Sequence, residues 1–84
     1  MNTETVDIEY RKLVALILKA STQIAVKHRR GPANFVRVPD SMIEKFSGRE
    51  IAGIPVHRDV ELQNSVIVGR LEESGFLAEE TINI

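Results

Sequence analysis

The sequence contains no cysteine and no tryptophan, and only three prolines. Without cysteine there is no disulfide, no thiolate metal site and no thiol nucleophile. His28 and His57 are the only imidazoles, so a structural zinc site is not expected and no metal or cofactor is assigned. A small domain without such staples is held by packing against itself, against copies of itself or against a larger partner. No apolar run approaches the roughly 18 residues of a membrane span. The segment MNTETVDIEY lacks the basic start and apolar core of a signal peptide. A cytoplasmic setting with no membrane contact is therefore the expectation. A formal net charge of −1 provides no global basic field, which argues against nucleic acid as the partner.

What is present reads as an ordinary globular composition, 43% apolar and 27% charged. With 84 residues the expectation is a single small domain over 1–84, frayed at 1–5 and 78–84. From Val6 to about His28 the pattern is helical. Tyr10, Leu13, Ile17, Ala20 and Ile24 recur at steps of three and four, and Val14, Leu18 and Ala25 form a neighbouring row that widens the apolar face. Such a helix is longer than a small sheet requires and is expected to seek contacts outside the chain. Lys27, Arg29 and Arg30 complement the dipole of its last turn, Gly31 supplies a left-handed cap and Pro32 stops it.

NFVRVP then reads as a strand. DSMIEKFSG reads as a short helix with a capping box from Ser41 to Glu44 or a cap at Asp40, ended by Gly48. IAGIPVHRD, entered through Gly53, is a second strand, and SVIVGRL is a third whose apolar run suggests burial on both faces. The tail ESGFLAEETINI adds an edge strand or stays loose. The expected class is α+β: a long N-terminal helix, then a small sheet of about three strands with one short helix.

Candidate chemistry is sparse. Lys27, His28, Arg29 and Arg30 form a basic run, but it lies at a helix C-terminus, whereas phosphate loops use N–H groups at a helix N-terminus. Single-strand binders also need aromatic platforms, and the aromatics here are only Tyr10, Phe35, Phe46 and Phe76. His57 and Asp59 have the spacing of a general-base pair, yet no nucleophile elbow accompanies them, and polar residues at a strand end account for them. Asp40, Glu44 and the C-terminal glutamates fit no calcium-loop spacing. No enzyme is expected.

The passage Ile24-Ala25, then Arg30-Gly31, then Asn34-Phe35 gives the pattern I-A-x-x-x-x-R-G-x-x-N-F. PDSMIEKF follows, then Gly53-Ile54-Pro55-Val56, then SVIVG ending at Gly69. In this order the segments resemble the major capsid proteins of tailed phages, of T-even type, over the spine helix and axial domain. The resemblance covers residues 10–70 and implies a shell-forming fold without catalysis, found in the virion or the host cytoplasm. Capsid proteins of that family are several times longer. The resemblance therefore implies a reduced capsid-like product, a modulator of capsid assembly or an axial-domain fragment.

The expected function is structural. Partners would be copies of the chain or phage capsid subunits, met through Leu13, Ile17 and Ile24 of the helix, with Arg29, Arg30 and Arg58 forming ion pairs between subunits. The alternative is a small regulatory module docking on a host protein or nucleic acid through Lys27–Arg30.

Overall fold

The computed structural model describes residues 3–46 and 50–84, with helix side chains described from Tyr10 onward. Helix α1 spans Thr3–His28, followed by β1 (Phe35–Val38), a 3-10 helix (Asp40–Lys45), β2 (Glu50–Ile51), β3 (Ile54–Arg58), β4 (Ser65–Leu71) and β5 (Leu77–Asn83). The class is α+β as expected, but the sheet has five strands in the order β2-β3-β1-β4-β5. Only β1 and β3 run parallel, with Val36 opposite Val56. A parallel neighbour cannot be reached by a tight turn, so residues 39–53 cross over and carry the 3-10 helix with them.

The sheet has two strands beyond the expected three, one from IAGIPV, expected to belong to a single strand, and one from the tail, expected to add an edge strand or stay loose. IAGIPV is a hairpin: Ala52 and Gly53 both take positive φ, 50° and 82°, and pair Ile51 with Ile54. The tail is no frayed end, because β5 pairs with β4 along its whole length, from Leu77 opposite Leu71 to Asn83 opposite Ser65. At the other end the helix already includes Thr3–Thr5.

Further local expectations are corrected. The left-handed residue after α1 is Arg29, with φ 53°, and Gly31 serves another purpose described below. Pro39 precedes the 3-10 helix with extended backbone and no side-chain cap, so neither the Ser41–Glu44 box nor an Asp40 cap forms. Gly48 lies outside the described residues.

The core sits between one face of the sheet and a layer made of α1 and the 3-10 helix. Leu13, Ile17, Ala20 and Ile24 pack with Val36, Val38, Val66, Val68 and Ala78. Beside them Phe46 fills the space over the β3 side, its ring 5.3 Å from that of Tyr10. The loop after α1 is tied back where Ser21, buried in the helix, accepts a hydrogen bond from the Ala33 N–H at 3.0 Å. Leu18 is exposed, so the apolar stripe is narrower than the two rows of the sequence suggest. At a rise of about 1.5 Å per residue the 26-residue helix is about 39 Å long, and it sets the 45 Å long axis of a body 24 by 22 Å in its other dimensions.

Leu13, Ile17 and Ile24 are therefore core residues, not surface ones. Ile17 and Ile24 are each 0% exposed. The expectation that they meet a neighbouring subunit is overturned, because the chain's own β4 and β5 lie under that stripe. Ile17→Ala should lower the unfolding free energy by about 2–5 kcal/mol, whereas Leu18→Ala should change it by less than about 1 kcal/mol. Urea denaturation of the two variants checks this; equal losses would mean both rows are core.

Candidate functional site

Since α1 and the 3-10 helix cover one face of the sheet, the residues that alternate with the core positions form the opposite face, and no described element lies over it. Phe35 and Arg37 point there from β1, opposite Gly69 and Ile67 of β4, while Leu77, Glu79 and Thr81 come from β5. His57 of β3 lies beside Arg37 in the register. Phe35 lies across Gly69: a Cβ on that glycine would sit 2.3 Å from the ring's Cζ and 2.8 Å from the Ala78 carbonyl oxygen. The glycine is therefore the bed on which the aromatic ring rests.

Arg37 organises the polar part of this face. It donates to Asp59 Oδ2 at 3.2 Å and to the Glu79 carboxylate, while its guanidinium lies 5.7 Å from the Phe35 ring centre. Phe35, Arg37, His57, Leu71, Leu77 and Glu79 line a shallow depression of about 410 Å³. The cross-strand pair Leu71 and Leu77 rims it at 54% and 52% exposure. Asp59 is engaged by Arg37 and by the Glu61 N–H at 3.0 Å, and the polar residues at this strand end act as structural ties.

Two residues of the basic run, His28 and Arg30, are drawn into a second polar cluster at the end of the sheet. Arg30 pairs with Glu72 and lies 4.0 Å over the Phe76 ring, against which His28 packs edge-on. Arg70 donates to Glu72 Oε2 at 2.8 Å and to the Pro32 carbonyl at 2.9 Å. Its guanidinium lies so close to Gly31 that a Cβ there would be 2.8 Å from Arg70 Cζ, so a side chain at that position would displace the guanidinium. Asn34 donates to the Leu71 carbonyl at 2.8 Å and accepts from the Leu71 N–H at 3.0 Å, extending the β1–β4 ladder with a side chain.

The arginines expected at a subunit interface thus divide. Arg30 is paired within the chain, and Arg58 reaches Asp40 at 3.0 Å with both side chains exposed. Arg29 is exposed. The open face with Phe35 and Arg37 was not singled out from the sequence. Its signal is the alternation in FVRV, which sends Val36 and Val38 one way and Phe35 and Arg37 the other.

Compared with known proteins, the chain matches no family model, no curated protein and no solved structure.

Two guanidiniums act on Glu72. The hydrogen bond from Arg70 is the largest influence, partial desolvation opposes it, and Arg30 adds a further hydrogen bond and attraction; the net effect holds the carboxyl below its usual range. A carboxylate whose folded pKa is depressed stabilises the fold above its unfolded pKa, and that contribution is lost as pH falls through the lower folded pKa. Glu72→Gln should therefore be less stable than wild type at neutral pH, and the two should converge below the usual carboxylate range. Thermal melts across pH check this; a gap that persists or widens in acid would refute the ion-pair account.

Proposed function

We propose that this chain is a non-enzymatic structural or assembly domain that acts by docking the open face of its sheet on a second copy of itself. The observation that carries this reading is the uncovered patch of Phe35, Ile67, Leu71 and Leu77 around the Arg37–Asp59–Glu79 ion pairs. Exposed cross-strand leucines beside a half-buried aromatic ring form the apolar centre of a contact, and charges of both signs supply its polar rim. Sheets stack face to face at about 10 Å with side chains interleaved, so a second copy presenting the same face can be accommodated. A face that carries both Arg37 and Glu79 can meet its own image without a net charge clash.

The resemblance of the segment order to tailed-phage capsid proteins is the ground on which we place this association in particle assembly, in the virion or the host cytoplasm, as a shell component or as a modulator of one. Capsid subunits that accept the same face would then be its partners. The basic run is the weaker surface for a regulatory module, because Arg30 is neutralised by Glu72 and stacked on Phe76.

The test is molar mass by size-exclusion chromatography with light scattering across protein concentration. Wild type should associate, and the double variant Leu71→Glu, Leu77→Glu should be monomeric, since it replaces the apolar patch with carboxylates that a second copy would have to bury. Both positions are half exposed, so the variant should keep the fold by circular dichroism. Association unchanged in that folded variant would overturn the proposal.

A further inference from the structure

The sheet has two edges that differ sharply. One is β2, two residues long. The other is β5, seven residues long and paired on one side only. The hydrogen bonds at the two ends of the β4–β5 ladder fix which groups face outward: Glu72 N–H donates to the Phe76 carbonyl, and Ile84 N–H to the Asn64 carbonyl, both even-numbered positions of the last segment. The register between them is unbroken, so even positions pair with β4. The N–H and C=O groups of Leu77, Glu79, Thr81 and Asn83 therefore point away from the sheet. A row of this kind is a template for another strand.

Above this edge runs the flank of α1 beside its buried stripe. Two shallow depressions follow the groove between helix and strand. One is lined by Lys12 and Leu16 with Ile82 and Ile84, the other by Gln23, Val26 and Lys27 with Glu80. Lys12, Leu16, Lys19, Gln23 and Val26 recur at helical steps, and all are exposed. Among the described residues no ion pair engages Lys12, Lys19 or Lys27. Lys12 and Lys27 thus line the groove beside β5, with Lys19 on the helical row between them, against the carboxylate of Glu80 among the described residues.

We infer that the β5 edge takes an extended segment of a different protein, one with acidic side chains toward α1 and apolar side chains on the opposite face, continuing the Leu71–Leu77 patch. A second copy of β5 fits poorly. An antiparallel pair centred on Glu79 or on Glu80, two of the registers that set outward odd positions against one another, places that glutamate against itself. It would also bring the lysines of two helices together. Main-chain hydrogen bonds from four residues supply the attachment, and the lysine flank selects the charge of the occupant. This surface and this partner are separate from the face-to-face association proposed above.

The experiment uses the whole chain and two fluorescent peptides of roughly ten residues, one alternating valine with glutamate and one alternating valine with lysine. Fluorescence anisotropy should show the glutamate peptide binding at least about tenfold more tightly, with the difference shrinking as salt is raised. Amide exchange at Leu77, Glu79, Thr81 and Asn83 should slow in its presence. Thr81→Pro removes one outward N–H at an edge position where proline is tolerated, and should abolish binding while the fold persists. Replacing Lys12, Lys19 and Lys27 with Glu should reverse the peptide preference. No binding by either peptide, equal binding by both, or binding indifferent to Thr81→Pro would overturn the inference. Self-association is read without peptide, so its outcome stands apart from this one.

Discussion

A five-stranded sheet has two faces, and this chain has one long helix with which to cover them. That constraint shapes the rest of the molecule. The helix lies over β4 and β5, the 3-10 helix closes the core over β3 through Phe46 and Ile43, and the layer is then used up. The valines at 36, 38, 66 and 68 meet that layer and are fully buried. Their alternating neighbours are left facing outward. A strand cannot bury one set of side chains without presenting the other, so the open face is a direct product of the packing that stabilises the fold.

The charges follow the same division. A net charge of −1 conceals two paired clusters rather than an even scatter. At one end of the sheet Arg30 and Arg70 close on Glu72 and clamp the loop after the helix to the β4–β5 hairpin. On the open face Arg37 spans from the end of β3 to β5. Exposed ion pairs contribute little stability individually, and their effect here is geometric. The first cluster fixes where the chain leaves the helix, and the second holds Phe35 and the leucines in one shallow surface.

Much of this was legible from residue order. The helix and its end at His28, the strand in FVRV, the short helix after Pro39 and the strand in SVIVGRL all carry local signals strong enough to find them. The hairpin at Ala52-Gly53 was hidden because alanine stands where asparagine or aspartate usually marks such a turn. β5 was legible only as one of two alternatives for the tail, because adjacent glutamates blur its alternation: Glu79 faces the open side to reach Arg37, and Glu80 faces the helix side. The site was less legible than the fold. Periodicity identifies the buried stripe of α1 but not what covers it, so Leu13, Ile17 and Ile24 could be read as surface seeking a neighbour when their partner is the chain's own sheet. Arg30 and Arg58 could likewise be read as free cations, because the acids they meet, Glu72 and Asp40, lie far along the sequence or across a crossover.

The two edges of the sheet are unequal. β2 ends in a tight hairpin of two-residue arms, which offers a strand too little to hold. β5 offers four residues' worth of outward main-chain groups and no proline. Left unmodified, such an edge would pair with any copy of itself. Adjacent glutamates at its middle make a self-pairing centred on either of them a meeting of like charges, which weighs against those registers and leaves the edge open to a strand of other composition. The chain therefore keeps two unlike surfaces, a face balanced in charge and an edge biased in charge. We propose the first for contact with an identical copy and the second for contact with a different protein.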